Sequence, residues 1–362
     1  MKKYFSKPIN YSLDYKFELP INFDENWKNI LNKDIQHKSI KLGVRKINNV
    51  FVNHYGLVLN NLFLVKSCAP NTGFVKYDDD KFYFKHWRLV IEQYLVCKYG
   101  KSLQSIELED TTQYLLLHSP WFSYYFWISE CIPRLLSVRE HLDEITLIYP
   151  EEWDKFTFVT ETLALFPNLK IEKIQKGVHL FVPRLILPEV KPWSPMFIPE
   201  LVFGTKQLLE KHVLSLNLDL PKYEKIYISR KKAARRKFLD ENEIENFLNK
   251  EGFMAVVMED YSFFEQIFLM MNAKVVCGIT GAGHINAMFM KEGTYFFDFT
   301  NIGYKKSSIY KFHYHKLCNI VGLKYLVQFF DYKIDPNIIK FSQQPLIPDY
   351  KLLKKNLKLL LK

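Results

Sequence analysis

A chain of 362 residues exceeds what one hydrophobic core ordinarily organises, so two domains are expected. Apolar residues at 48% and charged residues at 25%, with only 13 glycines and 16 prolines, exclude a disordered or fibrous chain. Lysine plus arginine (50) over aspartate plus glutamate (39) leaves a net charge of +11, which favours phosphorylated ligands, anionic membrane surfaces or nucleic acid; a lysine-rich genomic bias explains it equally well.

Met1 to Pro8 carries charge, but no apolar h-region or cleavage site follows, and no run reaches the roughly 18 apolar residues of a spanning helix. Neither secretion by a signal peptide nor integral membrane insertion is expected. Cys68, Cys97, Cys131, Cys277 and Cys318 are odd in number and scattered, without a C-x-x-C pair. They predict buried free thiols in a reduced compartment and no zinc site.

In chain order, Ile40 to Val65 reads as short strands, including Val50-Phe51-Val52 and Leu57-Val58-Leu59. Trp87 to Tyr99 has no strict alternation, so strand and helix both stay open. Ile145 to Tyr149 predicts a buried strand, followed by a helix carrying Trp153, Phe156, Val159 and Leu163, then a strand at Leu169 to Ile174. That order predicts a βαβ unit. Pro188, Pro192, Pro195 and Pro199 mark the domain boundary, with Pro199 opening a helix that runs to about Leu214.

The next elements alternate. Lys225 to Ser229 predicts a strand and Glu243 to Lys250 a helix with the capping spacing Asp240-x-x-Glu243 and a stop at Gly252. Met254 to Met258 follows as a strand, Phe263 to Met271 as a helix opened by Ser262-x-x-Glu265, and Lys274 to Gly278 and Thr294 to Phe299 as strands. Strands separated by helices predict a doubly wound parallel sheet, whose ligands bind beyond the carboxyl ends of the strands. Tyr350 to Lys362 predicts a basic amphipathic helix with Leu353, Leu357, Leu360 and Leu361 on one side. It either touches anionic lipid or packs on the protein with a solvated lysine face.

Two motifs fall on that rim. Ser229 to Lys237 holds six cations in nine residues, suited to neutralising a diphosphate or, in the bland reading, a solvated basic loop. Gly278-Ile279-Thr280-Gly281-Ala282-Gly283-His284-Ile285-Asn286 offers bare backbone amides at a helix start predicted near Ile285, or a structural turn. Glu265 reads as a cap, His284 as a turn histidine or ligand, and Asn286 as a local cap or nucleotide contact.

Five ordered segments between Tyr227 and Phe299 resemble glycosyltransferase family 61: Ile228-Ser229-Arg230, Arg236 through Asp240-Glu241, Gly252-Phe253, Ser262-Phe263-x-Glu265-Gln266, and Gly278 through Asn286. Tyr124 to Leu135 is similar to the family's Tyr-x-His-Trp-x-x-Glu/Asp-x-x-Pro-Arg-Leu. The chain departs from the family pattern at two histidines, which are Thr280 and Phe126 here, and His118 lies eight residues before Phe126.

The resemblance implies an α/β fold of GT-B type, two Rossmann-like domains facing a cleft: residues 1–191 on the acceptor side, 192–345 for a nucleotide sugar, and 346–362 as the terminal helix. It implies inverting, metal-independent transfer without a cofactor beyond the sugar donor. Ser229, Arg230, Arg235, Arg236, Glu265, Gly281, Ala282, Gly283, His284 and Asn286 would bind the donor diphosphate or nucleotide. Glu130 would be the base, with pairing to Arg134 at i,i+4 as its structural alternative. His118, Trp127 and Arg134 would lie on the acceptor side. The partners implied are a nucleotide-sugar donor and a glycan or lipid-linked glycan acceptor in bacterial capsule or lipopolysaccharide synthesis, with a cytoplasmic location and a peripheral membrane contact through the terminal helix. No nucleic acid is expected. The alternatives are an α/β protein that binds nucleic acid through residues 229–237, and a catalytically silent relative.

Overall fold

The computed structural model describes residues 9–11, 18–24, 40–60, 63–65, 68, 95, 105–119, 122–188, 197–306 and 313–361. The segment expected at Trp87 to Tyr99, apart from a helical Leu95, lies outside the described residues, as do Cys97, Pro192 and Pro195. The chain divides into two compact units, Met1–Ser12 with Ser39–Ser194, and Leu13–Lys38 with Pro195–Lys362. The boundary thus falls at 194/195 rather than 191/192, and residues 13–38 belong to the second unit.

In the first unit, β1 (Ile9–Tyr11) pairs antiparallel with β2 (Ile40–Leu42). The main sheet contains β3 (Val44–Asn53), β4 (Val58–Asn60), β5 (Phe63–Leu64), β6 (Ser105–Glu107), β7 (Gln113–Leu115), β8 (Ile145–Pro150), β9 (Lys170–Ile174) and β10 (His179–Pro188). Its order is β5-β4-β3-β10-β7-β8-β9, with β6 also on β10. The run β10-β7-β8-β9 is parallel, and the predicted βαβ unit is β8, the helix Thr157–Leu163 and β9. The β3, β4 and β5 end is antiparallel, so this sheet is mixed rather than Rossmann-like throughout. Between β3 and β4 the Asn53 carboxamide accepts N–H groups from Tyr55 and Leu57, closing a tight hairpin.

The single helix expected after β8 is two pieces. A 3-10 turn spans Glu151–Lys155, Phe156 is extended, and the α-helix begins at Thr157. Trp153, Val159 and Leu163 are nevertheless buried together with the sheet, as their spacing predicts. The Tyr124 to Leu135 motif is helical but irregular. A short α-turn, Tyr124–Phe126, passes into a π-helical turn, Trp127–Cys131, then into the α-helix Ile132–Leu136. Pro133 has no N–H for the Ser129 carbonyl and its ring crowds that carbonyl, so the ladder widens just before it.

In the second unit, β11 (Lys225–Ile228), β12 (Met254–Val256), β13 (Val275–Ile279), β14 (Tyr295–Asn301) and β15 (Lys324–Phe330) form a sheet of order β12-β11-β13-β14-β15. All four pairings are parallel, as the alternation of elements predicts. The Glu241–Lys250 helix starts two residues earlier than the capping spacing suggested. Its Asp240 cap accepts from the backbone N–H groups of Asn242 and Glu243, and the chain leaves it through Gly252 at φ +86°. The Phe263–Asn272 helix has the full Ser262/Glu265 capping box. Pro199 opens a helix that runs to Ser215.

The core on one face of this sheet gathers Tyr227, Phe238, Phe297, Phe299 and Phe330 with Leu353, Leu357 and Leu360. Those leucines come from the terminal helix Tyr350–Leu357 and the 3-10 turn Lys358–Leu361. The terminal helix is therefore part of this unit's core. Each buried leucine is worth roughly 2 kcal/mol in place, and Asn356 donates to Gln328 at 2.9 Å. Residues 18–24 cover the free edge of β15: Ile21 N–H donates to the Tyr325 carbonyl at 2.9 Å, and the Asn22 carboxamide bonds both backbone groups of Val327. Among the described residues, no helix is long and apolar enough to cross a membrane.

Candidate functional site

After β11 the chain moves to β12 on one side, whereas β13 lies on the other side of β11 and leads on to β14. The order reverses between β11 and β13, and their carboxyl ends open the crevice where doubly wound sheets bind ligands. The two loops that leave these ends are Ser229 to Lys237 and Thr280 to Asn286. They meet: a methyl group added to Gly281 would stand 3.1 Å from Nη1 of Arg230.

Arg230 is fixed by its own loop. Its Nε and Nη2 donate to the carbonyls of Arg236 and Arg235, both at 3.2 Å, which leaves Nη1 facing the glycine loop. Burial and the neighbouring Arg236 cation both pull its pKa down. Two guanidinium groups share this corner, and among the described residues neither has an ion-pair partner of opposite charge. The Glu259 and Glu241 carboxylates are near enough to act on the Arg230 charge in the opposite direction. Arg236 takes a left-handed φ of 55°, unusual for a residue with a side chain, and its Nη1 reaches the Thr280 carbonyl at 3.5 Å.

Glu241 organises the loop. Its carboxylate accepts from the Tyr227 hydroxyl at 2.5 Å, the Arg230 N–H at 2.8 Å and the Phe238 N–H at 3.1 Å, and it is buried. The sequence offered its signal as the last residue of the Arg236 to Glu241 segment. The outer lysines are spent locally, Lys231 on Glu245 at 3.6 Å and Lys232 on Asp260. Arg235 is exposed. Buried Ser229 donates to Glu245 at 2.5 Å and accepts from the Lys231 N–H, so its hydroxyl is used inside the loop.

The glycine loop starts a 3-10 segment, Ala282–Phe289, rather than an α-helix near Ile285. Half-buried Ala282 and Gly283 carry the amides that a helical start leaves without an intrahelical acceptor. His284 does not face the rim. It is 2% exposed, burial lowers its pKa, and its neutral ring accepts the Gly281 N–H at Nδ1, 2.8 Å away. The Tyr314 hydroxyl holds the Gly281 carbonyl from the other side at 2.5 Å. Asn286, fully buried, donates to Gln266, which in turn holds the Met258 and Tyr261 carbonyls. Glu265 is engaged in its capping box. His284, Asn286 and Glu265 thus shape the loops from within, and the rim consists of Arg230, Arg236, Gly281, Ala282 and Gly283.

Thr280, at the position of a family histidine, donates to the buried Asp298 carboxylate at 2.6 Å, and the Tyr325 hydroxyl donates to the same carboxylate at 2.8 Å. Asp298 and Tyr314 are residues that the sequence reading missed. Nothing in their spacing distinguishes them from ordinary core positions.

In the first unit, Glu130 and Arg134 form the i,i+4 pair at 3.6 Å, with the arginine donating to the Leu117 carbonyl at 2.6 Å. Trp127 is wholly buried, its indole N–H on Thr162 Oγ1 at 3.3 Å and its ring edge-on to Trp153. His118 is also buried. Its Nε2 bonds the His54 carbonyl at 3.1 Å, and burial pushes its pKa down to about 3. As placed, Trp127, Arg134 and His118 support the interior of this unit and do not present side chains to an acceptor. Cys68, Cys131, Cys277 and Cys318 are buried free thiols. Among the described residues, no group of three or more His, Cys, Asp or Glu side chains is arranged to hold a metal ion.

A mixed α/β chain whose second unit is a parallel sheet fits an α/β glycosyltransferase. The family model described as Glycosyltransferase 61 matches residues 124–297, somewhat under half of the chain. The match runs from the π-helical motif of the first unit to β14 of the second and supports a transferase of glycosyl groups. No curated protein matches the chain.

Proposed function

We propose that the protein is an inverting, metal-independent glycosyltransferase of GT-B type, acting in the bacterial cytoplasm. It would move a sugar from a nucleoside-diphosphate donor to a glycan or lipid-linked glycan acceptor in capsule or lipopolysaccharide synthesis. The approach of Arg230 to Gly281 at the β11/β13 switch point carries the reading, because it brings a guanidinium beside the start of the Ala282–Phe289 helical segment. The acceptor hydroxyl attacks the anomeric carbon, the bond from that carbon to the diphosphate oxygen breaks, and the hydroxyl proton passes to a base. Arg230 and Arg236 neutralise the charge that develops on the departing diphosphate. By resemblance Glu130 would be the base, in competition with its pairing to Arg134 at 3.6 Å, and the first unit would be the acceptor side. The surface-glycan acceptor rests on the family resemblance alone.

Lys231 and Lys232 are paired with Glu245 and Asp260, whereas exposed Arg235 and Lys237 keep the nucleic-acid alternative to be tested. Thermal unfolding with a panel of nucleoside diphosphates tests the proposal. One of them at a hundredfold excess over its Kd should add roughly 2.7 kcal/mol, and the gain should persist in chelator. A protein that no diphosphate stabilises, but that binds DNA or RNA with a steep salt dependence, would have the alternative function.

A further inference from the structure

Beside the rim lies a hollow of about 10 Å³, room for one water-sized oxygen, lined among others by Arg236, Thr280, Thr300, Asn301 and Gln344. Most of its polar wall is committed. Asn301 donates to the Phe341 carbonyl at 2.9 Å and accepts the Gly303 N–H at 2.7 Å. Gln344 donates to the Asp335 and Ile338 carbonyls and accepts the Asp335 N–H. Two buried polar atoms of the lining residues are without a hydrogen-bond partner: the hydroxyl of Thr300, a residue 0% exposed, and Nε of Arg236. Guanidinium Nε–H only donates, and a threonine hydroxyl can donate, so the pair calls for an acceptor oxygen. A buried donor without a partner costs about 1–3 kcal/mol, and here it sits on a residue whose backbone is already left-handed.

We infer that this hollow is an oxyanion subsite in which Thr300 Oγ1 and Arg236 Nε hold one non-bridging phosphate oxygen of the donor. The inference rests on the proposed nucleotide-sugar reading and adds Thr300 as a ligand-binding residue. Thr300 stands in β14, one strand beyond the glycine loop, where no sequence motif marks it. The subsite selects diphosphates, since one phosphate anchored on Arg230 and the amides leaves the second to place an oxygen here.

The test is calorimetric titration of the full chain with inorganic pyrophosphate and with a matched pair of nucleoside mono- and diphosphates, for wild type, Thr300→Val and Thr300→Ser. Thr300→Val should weaken pyrophosphate and diphosphate binding at least about tenfold and leave the monophosphate and the melting temperature unchanged. Thr300→Ser should stay within about threefold of wild type, because the hydroxyl is kept. Equal pyrophosphate affinity for Thr300→Val and wild type overturns the inference while the transferase reading stands. A lower melting temperature with unchanged affinity likewise overturns it, since the hollow then holds only a structural water. Wild type that binds neither pyrophosphate nor any diphosphate removes the reading and the inference together.

Discussion

The family-like residues of the two units end in different places. Around β11 and β13 they converge on a rim where Arg230 lies against the glycine loop, while their neighbours Glu241, His284 and Asn286 are buried supports. In the Tyr124 to Leu135 motif they converge on each other: Glu130 meets Arg134, Trp127 meets Thr162 and Trp153, and Arg134 meets Leu117. Residues of the two family-like stretches thus sit in different surroundings, half-buried on a loop in one unit and mostly buried against each other in the other.

Substitutions that separate activity from stability sharpen this contrast. The largest effect should come from Trp127→Ala, which empties a fully buried indole site. We expect a loss of about 3–5 kcal/mol in denaturant unfolding of the first unit, with diphosphate binding by the second unit intact. A merely local loss of activity at unchanged stability would break the contrast and place Trp127 at the acceptor.

Arg230→Ala should act the other way, lowering kcat/KM about a hundredfold while unfolding shifts little. Lys232→Ala, which removes an exposed cation already paired with Asp260, should stay within about twofold in the same assay. Equal losses for the two would mean that the loop works as a diffuse charge and not as an oriented fork.

A further effect concerns acid. His118 is neutral in the fold, with its pKa pushed down to about 3, whereas the unfolded chain takes up that proton near the ordinary value of 6.5. Stability is full above 6.5 and falls as pH drops toward 3, by up to about 1.4 kcal/mol per pH unit. His54, lowered to about 4 by burial, acts in the same direction. Unfolding midpoints at pH 7, 6 and 5 should decline, and His118→Gln should flatten the decline if the substitution folds.

Much of the second unit was legible in the sequence, because capping residues and short apolar strands alternate over local distances. Asp240, Ser262, Gly252 and Pro199 each act within a few residues of where they stand. The mixed sheet of the first unit was not legible: β3 pairs antiparallel with β10 from far along the chain, a partnership that no local periodicity encodes. The amphipathic pattern of the terminal helix gave the face formed by Leu353, Leu357 and Leu360, but not what covers it, since a 3.6-residue stripe is the same against lipid or protein.

By itself, then, the sequence determined the elements, their parallel order after Lys225 and the chemical types present at the rim, because those follow from short-range geometry and side-chain character. Tertiary structure decided which of those side chains are spent and which remain unfilled. Ser229 and His284 turn inward, Arg230 comes to rest against Gly281, and Thr300 is brought beside Arg236 from a distant strand. Whether a polar atom already has a partner depends on residues far away in the chain, and that pairing is what separates a binding group from a structural one.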